Sequence, residues 1–255
     1  MKKAVIYIVI LFATLQCFAQ AQKPSSVVSV PDKEINGIKF RTYSYEFSSN
    51  EFSKKISFTL PLYKEPVMQG IVENLLRGEY ESQTLEQEME EEYSSYMAEK
   101  TSDTVKKEDY NETSWSVTPV FVGGGYIAFV SSFSQKFAGD IPAPMWGDVA
   151  TIYEISTGRR ITEEDIFGKN DEQTRAVAQK LYAELKKKAS AENTEDAVLL
   201  NGNFYFTNKE LVYLYGSFEM YYTSGVTKLS LPKKSLKPYL NVDGPLYKYW
   251  FGEKK

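Results

Sequence analysis

Between Ile38 and Phe47 the side chains alternate, with Phe40, Thr42, Ser44 and Glu46 on one side and Arg41, Tyr43, Tyr45 and Phe47 on the other. A period of two places successive residues on opposite faces of a strand and is incompatible with a helical stripe. The period returns along the chain. Ile56, Phe58 and Leu60 alternate with Ser57 and Thr59 and stop at Pro61, and Ser48-Ser49-Asn50 is the turn that pairs this strand with the first. Trp115, Val117, Val120 and Val122 rise to Gly123-Gly124-Gly125, and Tyr126, Ile127, Phe129, Val130 and Phe133 return. A glycine triplet cradles phosphate when a helix N-terminus follows it. Here a strand follows, so the glycines are read as supplying positive φ for a hairpin turn.

Further strands are read at Thr151–Ile155, closed by Thr157-Gly158, at Phe204–Phe206, at Leu211–Tyr215 after the Asn208-Lys209 turn, and at Val226–Leu231 before Pro232. Between them lie helical periods. From Pro66, the residues Val67, Ile71, Leu75 and Leu76 share one face. Leu85, Met89, Tyr93 and Met97 continue it to about Lys100. Glu86, Glu88, Glu90, Glu91 and Glu92 take the other positions as a solvated face, because the run lacks the Asp/Asn/Gly alternation of a calcium loop. Glu163–Phe167 reads as one helical turn stopped by Gly168. Asp171–Ala191 reads as a helix with Val177, Leu181, Tyr182 and Leu185 inward and Lys186-Lys187-Lys188 at the negative end of its dipole. Leu236–Leu240 is a short turn of helix, and an aromatic tail follows at Tyr247, Tyr249, Trp250 and Phe251. The fold class is therefore α+β: mainly antiparallel sheets packed against two long helices, in two halves of similar size.

The ends and the composition narrow the chemistry. Lys2 and Lys3, the apolar run Ala4–Leu15 and the small residues Ala19 and Ala21 read as a signal peptide over residues 1–19, too short to be a membrane span. Export to the periplasm or the outside follows as an expectation. Lipidation at Cys17 fits less well than cleavage after Ala19, because Leu15 and Gln16 replace the small residues a lipoprotein signal needs. Cys17 is the only cysteine and the chain contains no histidine. A chain cleaved after Ala19 has no disulfide, no thiol nucleophile, no Ser-His-Asp catalysis and none of the commonest zinc sites. Cleavage removes two lysines and no carboxylate, moving the formal net charge from −4 to −6. That charge argues against nucleic acid and suits a basic partner.

The order of several segments resembles a known family. They are Tyr153-Glu154-Ile155-Ser156-Thr157-Gly158, Ile161-Thr162-Glu163-Glu164-Asp165-Ile166-Phe167, a helix, Asn203-Phe204-Tyr205-Phe206-Thr207, Leu211-Val212-Tyr213-Leu214-Tyr215, Phe218-Glu219-Met220, Gly225, Leu229-Ser230-Leu231-Pro232 and Leu236-Lys237-Pro238-Tyr239-Leu240. This succession is similar to the RsiV-like C-terminal family, which includes the lysozyme-sensing ectodomain of an anti-sigma factor and non-catalytic regions of some peptidoglycan deacetylases. Ile56–Pro61 before a helix is similar to the family's usual N-terminal companion domain. After the signal peptide over 1–19 the chain is read as an extended leader over 20–37, and the resemblance implies a companion-like α+β domain over 38–142 and an RsiV-like C-terminal domain over 143–255. It also implies a cell-envelope setting. The anti-sigma arrangement does not carry over, since no transmembrane segment is read after the signal. Where the family loop commonly carries Gly-Gly-x-His, this chain has Ala138-Gly139-Asp140 through Trp146-Gly147-Asp148 and no histidine.

The class implied is a secreted, non-catalytic envelope binding module that recognises a basic, lysozyme-like muramidase or a peptidoglycan-related ligand. No cofactor or metal is expected. The candidate partner-binding residues are Asp140, Met145, Trp146 and Asp148: Met145 and Trp146 end the Pro-rich stretch Ile141–Trp146, read as a loop, and Asp140 and Asp148 flank it. Trp146 is either a contact offered to a partner or an anchor closing that loop. One alternative is a glycan hydrolase using paired carboxylates drawn from Asp140, Asp148, Glu154, Glu163 and Asp165. The other is a purely structural envelope protein.

Overall fold

The computed structural model describes residues 28–48, 52–62, 65–76, 91, 94, 111–137, 145–169, 171–188, 200–216 and 226–252. The α+β class holds, with mainly antiparallel sheets. Six strands run side by side in sequence order: β1 (Val28–Ile35), β2 (Ile38–Ser48), β3 (Phe52–Pro61), β4 (Asn111–Gly123), β5 (Tyr126–Phe137) and β6 (Met145–Glu154). All neighbours are antiparallel except β3 and β4, which are parallel. A parallel pair needs a crossover rather than a hairpin, and α1 (Pro66–Leu76) lies on that crossover. A second, antiparallel sheet contains β7 (Phe204–Phe206), β8 (Glu210–Tyr215) and β9 (Thr227–Pro232). The remaining helices are α2 (Glu163–Phe167), α3 (Asp171–Lys188), α4 (Lys233–Leu236) with a 3-10 turn at Lys237–Tyr239, and α5 (Pro245–Phe251). Most of the acidic run at Glu86–Glu92 lies outside the described residues. Glu91, which is described, is helical and exposed.

The alternation in β5 explains the layering. Ile127 and Phe129 face a core with Phe58, Leu60, Val117 and the α1 residues Ile71 and Val72. Ala128 packs with the small sheet, α2, α3 and α5, and Val130 packs with Val212 and Leu214 of β8. β8 is therefore buried on both faces, which accounts for its nearly continuous apolar sequence. On its other side Tyr213, Leu229 and Leu231 join Val177 and Leu181 of α3. The order of layers is α1, large sheet, small sheet, α3.

Two differences from the sequence reading have local causes. The span read as an extended leader supplies β1 from its second half. Asn36 (φ 47°) and Gly37 (φ 82°) then turn the chain into β2, and Asn36 Nδ2 donates to the Val122 carbonyl. Met145 and Trp146, read as the end of a loop, open strand β6 opposite Gln135 and Ser134, because β5 continues far enough to offer them ladder partners. This same pairing hydrogen-bonds the strand after residue 143 to the strand before residue 142. The glycine triplet forms the expected turn, with Gly124 at φ +61° and Gly125 at φ +85°.

Candidate functional site

Of the four candidate residues, Asp140 lies outside the described residues and the other three lie on β6. Met145 pairs with Gln135, Trp146 with Ser134 and Asp148 with Ser132. Asp148 also lies close to the small sheet. The Tyr205 phenol is pushed above its ordinary pKa first by burial, and then by the charges of Glu210 and Asp148.

The outer edge of β6 is held by a residue that sequence reasoning did not single out. Asn203 Oδ1 accepts the Ala150 N–H (2.7 Å), and Asn203 Nδ2 donates to the Asp148 carbonyl (2.6 Å). Its side-chain amide thus stands in for one residue of a parallel neighbouring strand. The Asn203 main-chain carbonyl accepts from Leu214 N (2.9 Å), so this one residue joins the two sheets. Asn201 supports it, accepting from Asn203 N and donating to the Leu214 carbonyl. An asparagine just before a short aromatic strand was the available signal. Further along, the chain doubles back: Glu154 N donates to the Arg159 carbonyl and Ile161 N to the Ile152 carbonyl.

The inner face of β5 and β6 near Asp148 is apolar and open. Phe133 is 41% exposed and Val149 55%. Phe133 stands opposite Trp115 on one side and Gly147 on the other, while Val149 stands opposite Ser131. Trp115 packs edge-on against Phe58, with centroids 4.5 Å apart, and its indole N–H donates to Ser131 Oγ (2.8 Å). Trp115, Phe133 and Val149 therefore form a ridge on one face, beside the sequence-predicted segment. Helix α1 covers the opposite end of β6, where its Val67 and Ile71 approach Gly158.

Three of the five carboxylates proposed for hydrolysis, Glu154, Glu163 and Asp165, are occupied with structure. Thr162 caps α2 and forms a capping box with Asp165, whose carboxylate accepts from Thr162 N (2.8 Å), Thr162 Oγ1 (3.0 Å) and Arg159 (2.7 Å). Burial alone would raise the pKa of Asp165. The hydrogen bonds from Thr162 and Arg159, with the Arg159 charge, outweigh burial and hold it below the usual carboxylate range. A general acid needs the opposite shift. Glu163, two positions earlier, turns away and accepts from Gly202 N (3.1 Å), and Glu154 accepts from the Thr157 hydroxyl (2.7 Å). An open cleft of about 540 Å³ is lined by Arg159, Asp165, Asn241 and Asp243 among others. Its polar groups hold α2 to the turn before α5: Asn241 N donates to the Ile166 carbonyl and Arg159 is already paired. Among the described residues, no group of three His, Cys, Asp or Glu side chains could hold a metal ion, and no helix is long and apolar enough to cross a membrane.

No protein-family model matches the sequence, and no curated protein matches it. Solved structures do resemble it. The crystal structure of a DUF3298 family member from Bacteroides fragilis superposes with a TM-score of 0.61 at 11% identity, covering 89% of this chain and 96% of that one. A DUF3298 family protein from Pseudomonas aeruginosa gives a TM-score of 0.48 at 12% identity, covering 87% and 95%. DUF3298 proteins are related to the RsiV-like C-terminal region. At such identities the likeness is one of fold, and this chain shares its fold with the DUF3298 family protein of Bacteroides fragilis.

Proposed function

We propose that this chain is an exported, non-catalytic binding module of the cell envelope, of the RsiV-like kind, and that its partner is a basic, lysozyme-like muramidase. The observation that carries the reading is the ridge of Trp115, Phe133 and Val149. Partly exposed aromatic side chains braced by a second ring and a hydrogen bond are the usual anchors of a protein interface. The net charge of −6 expected after removal of residues 1–19 favours approach of a basic protein. The occupation of Glu154, Glu163 and Asp165 by structural hydrogen bonds supports binding over glycan hydrolysis.

Phe133 and Val149 are exposed, so Phe133→Asp and Val149→Asp leave the core intact. The expected result is capture of lysozyme by the purified protein, reduced at least tenfold in the double variant at an unchanged melting temperature. Co-sedimentation with purified peptidoglycan, run in parallel, tests the other ligand class. Absence of lysozyme capture, or capture indifferent to both substitutions, overturns the reading.

A further inference from the structure

The charge of this chain is unevenly distributed. The whole sequence is net negative, yet between Val226 and Gly252 it carries five lysines and one carboxylate, Asp243. Lys233 and Lys237 are one helical turn apart, and both place their ammonium groups over the Phe251 ring, 4.9 and 5.0 Å from its centroid. The two cations therefore stand within about one Debye length of each other. Lys180 of α3 lies over Tyr239 (5.2 Å), in the same 3-10 turn as Lys237, and Lys234, next to Lys233 on α4, is exposed. Among the described residues, no carboxylate comes within ion-pair distance of Lys180, Lys234 or Lys237. Lys233 has a structural role, donating to the Trp250 carbonyl at the end of α5.

We propose that the face formed by Lys180, Lys234 and Lys237 docks a carboxylate-bearing polysaccharide. Grouping like charges with no carboxylate among the described residues at ion-pair distance costs energy that a polyanion recovers on binding. The Tyr239 and Phe251 rings beneath the Lys180 and Lys237 ammonium groups hold those two side chains in place, which lowers the ordering cost of that binding. The face contains no arginine, and lysine is depleted at protein–protein interfaces, where an apolar core and arginine are usual. Single-stranded nucleic acid needs open ring faces for stacking, whereas here the ammonium groups cover them. A membrane surface needs exposed aromatic anchors, whereas Trp250 is buried with its indole N–H bonded to the Thr207 carbonyl, and Tyr239 and Tyr247 are half-buried. Ammonium point charges along a turn suit the repeated carboxylates of an acidic glycan, which need no directional fork. This face is separate from the Trp115–Phe133–Val149 ridge, so either reading can fail without the other.

The test titrates the purified protein with polygalacturonate, neutral dextran, polyglutamate and phosphatidylglycerol vesicles, at about 50 and about 200 mM salt. The expected result is binding of polygalacturonate that weakens with salt, and no binding of dextran. Combining Lys180→Gln, Lys234→Gln and Lys237→Gln should lower that affinity at least tenfold with the melting temperature unchanged. Lys233 stays in place because it caps α5. The proposal is overturned by any of three results: no polygalacturonate binding, a triple variant that binds like the parent, or equal or tighter binding of polyglutamate or vesicles.

Discussion

Replacing Gly124 by alanine should destabilise this protein far more than the same change one residue later. Gly124 sits at φ +61°, and a Cβ built there would lie 2.1 and 2.2 Å from two ring carbons of Tyr249. Real contacts between carbons begin well beyond 3 Å, so the tyrosine must move. Its ring packs against Phe121 (5.9 Å), Tyr126 (6.2 Å) and Phe206 (6.1 Å), joining the β4–β5 hairpin, the small sheet and α5. Left-handed backbone costs an alanine about 1–2 kcal/mol. Each displaced ring pair is worth about 0.5–1.5 kcal/mol, and such losses do not add fully. A total near 3–4 kcal/mol follows, which for a domain of this size lowers Tm by about 6–16 °C. Gly125 is the internal control, since its φ is +85° but a Cβ there meets nothing within 4 Å. Gly125→Ala should therefore show the backbone cost alone. Calorimetry of both variants, and of Gly124→Ala combined with Tyr249→Ala, separates the two effects. The reasoning fails if Gly124→Ala and Gly125→Ala cost the same, or if removing the Tyr249 ring leaves the cost of Gly124→Ala unchanged.

Asn203→Ala should cost about 2–3 kcal/mol, because it strips partners from both the Ala150 N–H and the Asp148 carbonyl at a half-buried edge. Chemical denaturation measures this, and a cost below about 0.5 kcal/mol would mean that water replaces the amide. Asp165 predicts a pH dependence. Its folded pKa is lowered, so its stabilisation is complete above the ordinary carboxylate value of about 3.9 and is lost as pH falls through the folded value. The stability gap between the parent and Asp165→Asn should thus be constant near neutral pH and shrink below about pH 4. A gap that widens on acidification would contradict the assignment.

Much of this fold is legible because its signals are local. The β4–β5 hairpin follows from alternation plus a glycine triplet, and α2 from the turn Glu163–Phe167 stopped by Gly168. β1 is harder to read. Pro31 and the charged Asp32-Lys33-Glu34 disguise a strand, and its clearest mark is the Asn36-Gly37 pair that closes its hairpin. The start of β6 is hidden for a related reason, since Pro142 and Pro144 pull the reading toward a loop while the ladder is set by residues of β5. What no local pattern shows is where distant elements touch. Tyr249 lying on Gly124 and Asn203 lying on β6 depend on the packing of one sheet against another. Met145 and Trp146, singled out for their apolar character and read as part of a loop, belong to β6. The exposed ridge uses Phe133, which the alternation presented as an ordinary strand residue, and Val149, which lies before the strand read at Thr151–Ile155.

An open six-stranded sheet has two edges, and each invites pairing with another chain unless something blocks it. At β1 the obstacles are Pro31, a bulge between Val30 and Lys33, and an exposed lysine at Lys33. On β6 the returning residues 159–161 occupy the strand from Ile152 onward, and the Asn203 amide occupies Asp148 and Ala150. Among the described residues, no hydrogen bond reaches the outer edge of Met145–Gly147. That stretch of the edge adjoins the exposed Phe133 and Val149. Among the described residues the sheet edges are thus blocked by local devices at β1 and along most of β6, and the stretch without such a device lies beside the exposed apolar side chains.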